Sequence, residues 1–304
     1  MADPILHHYP NSPFAEKARL LLGFKAIPWR SVTIPRIAPK PDLMPLTGGY
    51  RKTPVVQFGA DIYCDTACIA RELERRFPTP TLHPDGDRGN GVMMAAWADR
   101  TLFLTVVGVV FGTLGDAVPR ELREDRLKFS AGLIDLDRYQ REQDHLRAQL
   151  RSQLFWIERA FDDGRQWVLG AAPSYVDFCV YAPLWMTSRV SQLELLADMP
   201  RTREWMARVA GCGHGTFLDT DPKLALEIAR DAEPAPIDLD HIEWPPGLGA
   251  GAPVTVAADD YGKDPVAGRL LAVNAQHIVI AREDPTVGLV HVHFPRFGFR
   301  IEPA

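Results

Sequence analysis

Apolar and polar positions divide the chain into three stretches of different periodicity. Up to about residue 80, short apolar runs alternate with amphipathic helical ones. Ile5–Tyr9 reads as a strand, Phe14–Leu22 as a helix with Leu20, Leu21 and Leu22 on its apolar side, and Trp29–Ile34 as a second strand. A connection rich in proline (Pro35, Pro39, Pro41, Pro45) leads to a strand over Lys52–Phe58 with Pro54 at its entrance. The turn Gly59-Ala60-Asp61 joins it to Ile62-Tyr63-Cys64, and Asp65-Thr66 opens a helix reaching about Arg76. Strands alternating with helices predict an α/β layer. Phe77-Pro78-Thr79-Pro80-Thr81 and then Pro84-Asp85-Gly86-Asp87 read as a domain linker.

Beyond the linker the period becomes helical. The helix from about Val92 passes into Thr101–Gly115, an uncharged stretch carrying glycines. It is too short for a bilayer, which needs about 20 apolar residues, and a buried helix is expected instead. A helix from Leu136 to Phe161 is predicted by Leu146, Leu150, Leu154 and Ile157 on one face. Ser174 with Asp177 three places on forms a capping box, a folding device, at the start of another helix. Helices over Arg201–Val209 and Lys223–Arg230 complete the set. From Ala232 a Pro- and Gly-rich connection follows, and then strands: Val254–Val256, Arg269–Val273, His277–Ala281, Val287–Phe294 and Phe297–Ile301. These predict a small antiparallel sheet or partly closed barrel. The expected partition is 1–80, 90–231 and 252–304.

Composition narrows the function classes. With 304 residues, 46% hydrophobic and 24% charged, the chain has the balance of an ordinary globular protein of two or three domains. A net charge of −5 argues against nucleic acid as a partner, because phosphate neutralisation needs a basic surface. Met1-Ala2-Asp3-Pro4 has neither the basic start nor the apolar core of a signal peptide. Four cysteines without framework spacing point to a reducing compartment, so a cytoplasmic location away from membranes is expected. Cys64 and Cys68 have the spacing of a metal or redox pair, but buried helix-start thiols have it too; Cys179 reads as core. Cys212-Gly213-His214 has the residue types of a thiol–base pair, yet its flanking glycines read as a tight turn. His291 and His293 share one face of a strand, and His277 can join them from the hairpin. No carboxylate or cysteine at fixed spacing completes a ligand set, and Val290, Val292 and Phe294 take the buried positions. The histidines are therefore expected on an exposed polar face, with no metal.

The run Ser12-Pro13-Phe14, with Lys17 and Arg19 behind it, is the candidate for chemistry. Ser12 has N-cap character and Pro13 fits the first helical position. Such a helix start offers unpaired N–H groups and partial positive charge to an anion or thiolate. A cis bond at Thr53–Pro54 would turn the Thr53 backbone outward to pair with an extended peptide-like ligand.

Taken in order, Ser12-Pro13-Phe14, Thr53-Pro54-Val55, Asp65-Thr66 and Ser174-Tyr175-Val176-Asp177 resemble the glutathione transferase superfamily over Pro4 to about Arg230. The likeness is to serine-type classes such as Tau and bacterial relatives. The resemblance implies a thioredoxin-like α/β domain, an all-α helical domain and glutathione as co-substrate, followed here by a small antiparallel β domain that the family ordinarily lacks. It implies Ser12 as the hydroxyl that holds the thiolate, with Tyr9 and then Asn11 as alternatives. Thr53, beside Pro54, is implied to meet the cysteinyl backbone, and Asp65 and Thr66 the γ-glutamyl end. Lys40 or Lys52 is the candidate for the glycine carboxylate. A hydrophobic electrophile is expected along Trp97–Phe111, and a homodimer follows from the resemblance. Two functions stay open: a glutathione-dependent transferase, with dehalogenase, lyase or isomerase chemistry on the same site, or a non-catalytic binding or scaffold protein using the C-terminal β domain.

Overall fold

Every strand and helix expected of the first eighty residues forms in the computed structural model, which describes residues 3–84, 89–190, 192–238 and 241–304. The start at Met1-Ala2 and the linker residues Asp85, Gly86 and Asp87 lie outside the described residues. In chain order β1 is Ile5–His8, α1 Pro13–Phe24, β2 Trp29–Thr33, α2 Met44–Thr47, β3 Val55–Phe58, β4 Asp61–Cys64 and α3 Thr66–Arg76. Helices then dominate: α4 Gly89–Trp97, α5 Phe103–Leu114, α6 Arg120–Phe129, α7 Leu136–Arg141, α8 Gln143–Arg159, α9 Tyr175–Trp185, α10 Gln192–Leu195 and α11 Pro200–Ala210. Strand β5 (Phe217–Asp219) and helix α12 (Pro222–Arg230) precede β6 Pro253–Ala258, β7 Val266–Val273, β8 His277–Asp284, β9 Gly288–Pro295 and β10 Phe299–Pro303.

These elements build two compact units. One comprises Met1–Ala18, Ile27–Leu73 and Thr216–Ala304; the other comprises Arg19–Ala26 and Glu74–Gly215. In the first unit the strands form one ten-stranded sheet in the order β10-β6-β7-β8-β9-β4-β3-β1-β2-β5. Its left part is the antiparallel sheet expected of the C-terminal strands. It joins the thioredoxin-like part through a parallel β4–β9 pair, with Asp61 opposite His291 and Tyr63 opposite His293. One apolar layer underlies both parts: Ile5, Val55 and Ile62 share it with Val254, Leu270, Ile280, Val292 and Phe294, all essentially solvent-free. The segment expected at 252–304 and the strands of 1–80 thus lie over a common core, together with Ala225 and Ala229 of α12.

In the second unit α5 packs against α7, α8 and α9. Its Gly112 permits the close approach: a Cβ there would lie 2.6 Å from the Tyr139 carbonyl oxygen. The Thr101–Gly115 stretch is part of a longer helical run, Gly89–Ala117, continued through a π-helical turn at Ala98–Leu102. At 29 residues that run is long and apolar enough to cross a membrane, correcting the expectation of shortness, and 56% of its most apolar window is buried within the structure. The predicted Leu136–Phe161 helix is two helices, because Asp135 caps α7 through the Asp137 and Arg138 N–H groups and Glu142 leaves helical geometry between them. Helix α6 was not expected, because Leu122 alone of its side chains is buried and no apolar period marks it.

At α9 the capping box forms as expected. Asp177 accepts hydrogen bonds from the Ser174 N–H (2.8 Å) and hydroxyl (2.7 Å). It also accepts from the Val168 N–H and the Trp205 indole, both at 2.8 Å. Burial raises this carboxyl above its ordinary range against the pull of those four donors.

Candidate functional site

Sheet register brings the candidate residues to one end of the first unit. On the antiparallel β1–β3 pair His7 lies opposite Val55, so the chain just beyond β1 runs beside the chain just before β3. On β3–β4 Val55 lies opposite Cys64, which carries Asp65 to the same end.

At the mouth of α1 the Ser12 hydroxyl oxygen accepts the Ala15 N–H at 3.1 Å, and its carbonyl accepts the Glu16 N–H at 2.9 Å. Ser12 is therefore the N-cap of α1, 2% exposed. Its own N–H donates to the Tyr9 carbonyl at 3.2 Å. The half-buried Tyr9 ring lies under the Lys40 ammonium, 5.6 Å from its centroid, and that ammonium donates to the Thr53 hydroxyl at 3.0 Å. Ser12, Tyr9, Lys40 and Thr53 are thus linked through successive contacts, and the Thr53–Pro54 bond is cis. Lys40 is only 4% exposed although it comes from the Pro-rich connection. Asn11 is exposed.

Asp65 caps α3: its carboxylate accepts the Ala67 N–H at 2.9 Å and its carbonyl the Ile69 N–H at 3.0 Å. Its φ of 74° lies in the left-handed region. A non-glycine residue pays about 1–2 kcal/mol there, less for Asp, whose short polar side chain bonds locally. Thr66 is buried at the first turn.

Lys52 does not join this group. Its ammonium is held at 2.5 Å by Asp260 and lies 4.2 Å from the Tyr261 ring centroid, both from the β6–β7 loop. Arg51 faces Asp264 of the same loop at 3.5 Å. Arg282 of β8 donates to the Pro45 carbonyl, and its guanidinium covers Gly48, where φ is 70° and no side chain would fit. The C-terminal strands thereby brace the connection that delivers Lys40. No pattern in the sequence pairs residues so far apart.

Along Trp97–Phe111, most apolar side chains, including Val106, Val107, Val109 and Val110, are buried in the second unit's own core. Trp97, Leu104 and Thr105 remain partly exposed.

The histidines depart from expectation. His293 is buried and His291 half-buried: β9 pairs with β4, and Cys68 and Arg71 of α3 reach His277 and the Gln276 carbonyl beside this face. Asp61 of β4 supplies the carboxylate that local spacing could not reveal: its Oδ1 lies 3.0 Å from His293 Nε2 and 3.8 Å from His291 Nδ1. His293 Nδ1 meets His277 Nε2 at 3.2 Å, and His277 Nε2 lies 3.6 Å from Cys68 Sγ. Burial pulls the His291 imidazole below its ordinary value, with His293 adding and Asp61 opposing. The same burial lifts the Cys64 and Cys68 thiols well above theirs, so neither is a ready thiolate. The buried positions of Val290, Val292 and Phe294 are as expected. Cys212-Gly213-His214 is a turn, with φ of 62° at Gly213 and 66° at Gly215, and burial raises the Cys212 thiol.

Family models agree with this architecture. The glutathione S-transferase N-terminal domain matches residues 6–81, and the glutathione S-transferase C-terminal domain matches residues 109–208. No curated protein matches the chain. Among solved structures, a GST-like protein from Pseudomonas syringae is 42% identical, covers 100% of both chains and has a TM-score of 0.79, so its match runs through the C-terminal strands. A glutathione S-transferase from Rhodospirillum rubrum F11 is 23% identical over 68% of this chain and 87% of its own, with a TM-score of 0.53. The Tau class glutathione S-transferase MiGSTU from mango, Mangifera indica, is 16% identical over 68% of this chain and 88% of its own, at 0.52. These last two share the fold. Whole-length identity to the Pseudomonas syringae protein, both domain matches and the sheet just described place the chain in the glutathione S-transferase family.

Proposed function

We propose that the chain binds glutathione at this end of the sheet and transfers its thiolate to a hydrophobic electrophile. On this reading residues 1–80 hold the tripeptide, 90–231 contain the helical domain as far as Gly215, and 252–304 brace the first segment. The observation that carries it is the linked set Ser12, Tyr9, Lys40 and Thr53 at the opening of α1.

Ser12 spends its oxygen lone pair on the helix cap and keeps its proton to donate to a sulfur. A free thiol titrates near 8.5, so only about 3% is thiolate at pH 7; lowering its pKa by two units raises that fraction about 25-fold. Tyr9 is the alternative donor. The Lys40 ammonium, rather than that of Lys52, meets the glycine carboxylate. Thr53, at the cis bond to Pro54, pairs with the cysteinyl backbone; Asp65 takes the γ-glutamyl ammonium, and Thr66 with the α3 start takes its carboxylate. A cytoplasmic homodimer completes the proposal.

The test compares wild type with Ser12→Ala in glutathione calorimetry and in conjugation of a general aromatic electrophile. Loss of the cap lowers stability by about 1 kcal/mol under any reading. Catalysis by Ser12 adds a roughly tenfold or greater fall in kcat/KM at pH 7, with the bound thiol titrating higher. Absence of glutathione binding at millimolar concentration would remove the enzyme reading and favour a binding or scaffold role.

A further inference from the structure

We propose that Asp61, His291 and His293 form a binding site for a divalent transition metal ion of the zinc class, set across the β4–β9 seam. The three residues each offer one ligand atom, and those atoms lie within 4.8 Å of one another. Asp61 Oδ1 is 3.0 Å from His293 Nε2 and 3.8 Å from His291 Nδ1. Ligands about 2.0–2.1 Å from a tetrahedral ion sit about 3.3 Å apart, so these separations bracket a coordination edge once the ion displaces the proton of the 3.0 Å hydrogen bond between His293 Nε2 and Asp61.

Several features make this a built site rather than a chance cluster. His291 Nδ1 is buried and has no hydrogen-bond partner, while 3.8 Å to Asp61 is too long for one. A buried ring nitrogen without a hydrogen-bond partner, 3.8 Å from a buried carboxylate oxygen, leaves a place for an ion to bridge the two. The other Asp61 oxygen, Oδ2, accepts the Ala235 N–H at 2.8 Å, which fixes the carboxylate and leaves Oδ1 facing the imidazoles. With His293 bound through Nε2, its Nδ1–H donates to His277 Nε2 at 3.2 Å, the outer-shell contact that orients a ligating imidazole. The Tyr63 ring stacks on His293 at 4.3 Å and holds its plane.

Two imidazoles and one carboxylate with the fourth position left to water is a zinc-type donor set. Register fixes two of the ligands: Asp61 and His291 are direct partners on the parallel pair. The ion therefore ties the C-terminal strands to the thioredoxin-like sheet at their only shared ladder among the described residues. The site stands four residues along β4 from Asp65, about 13 Å at 3.3 Å per residue, so it is separate from the proposed glutathione site.

The test uses the full-length, tag-free chain, stripped with chelator and titrated with Co(II), then with Zn(II) in competition. The expected result is one equivalent of Co(II) giving the visible absorption of a four-coordinate N/O site, displaced by Zn(II), with a higher Tm in the presence of zinc. His291→Ala, a half-buried change that removes no hydrogen bond at Nδ1, is expected to weaken binding at least a hundredfold and to abolish the zinc-dependent rise in Tm. His277→Gln is expected to keep the stoichiometry and lose about tenfold to a hundredfold in affinity. Failure of the wild type to take up one equivalent, or wild-type affinity for the ion in His291→Ala, overturns the site. Should His291→Ala not fold, the wild-type stoichiometry and His277→Gln still decide.

Discussion

His7 shows how one residue sets a pH limit on the first unit. Its Nε2–H donates to Gln57 Oε1 at 2.9 Å, and the Gln57 amide is oriented by its own bonds to the Gly59 and Ala225 carbonyls. His7 Nδ1 is buried without a partner, so a second proton there meets no acceptor. Burial lowers this imidazole to about 4 from 6.5, with the Gln57 bond opposing. The folded-state value lies below the unfolded one, so this stability is present in full above pH 6.5 and is lost as pH falls towards 4. The loss amounts to about 3 kcal/mol. Urea unfolding of wild type and His7→Gln across that window is expected to give a shallower pH dependence for the variant; parallel slopes would clear His7. Among the candidate residues, Ser12 and Asp65 were readable because caps are local: the residue type and the next two or three positions define them. Lys40 and Lys52 were not separable, since what distinguishes them is Thr53 and Tyr9 on one side and Asp260, two hundred residues away, on the other.

Helix α9 carries an element-scale prediction. Ten of its residues are buried and Asp177 anchors its start to Val168, Ser174 and Trp205, so the carboxylate organises the helix and the segments around it. Asp177→Asn would turn an amide N–H₂ towards donors that need an acceptor, and is expected to cost about 2–4 kcal/mol of unfolding free energy. Loss of activity beyond what the unfolded fraction explains would instead argue for a chemical role. At this scale the sequence was most informative where periodicity or capping was strong, as in α1, α3, α9 and α12. It failed at α6, whose charged residues carry no apolar stripe, and at β5, three exposed residues ordered by pairing with β2. The histidine face of β9 failed for another reason: alternation says which residues share a face, but not whether a helix covers it.

For the first unit as a whole, the C-terminal strands are structural members of the sheet. They cover the β4 edge, which would otherwise present an unpaired ladder, and they share its apolar layer. Removing residues 253–304 is therefore expected to give an insoluble or unfolded product rather than a minimal transferase-like core. Expression of the 1–252 fragment, with soluble yield and near-UV circular dichroism as readouts, checks this; a folded fragment would mean the strands pack independently. Separating the role of the β6–β7 loop calls instead for Asp260 and Lys52 substitutions in the full chain.

Local patterns along the chain set the element types, the helix starts at Ser12, Asp65 and Ser174, the glutathione-transferase-like order of motifs and the strand character of the last fifty residues. All of these are written in spacings of a few residues, where propensity, capping and side-chain period act. Long-range packing is what joins the last strands to the first sheet, brings Lys40 rather than Lys52 to Tyr9 and Thr53, and sets Asp61 against His291 and His293. Those outcomes depend on which strand edge is free and which apolar faces must be covered together, and such choices exist only once distant segments compete for the same core.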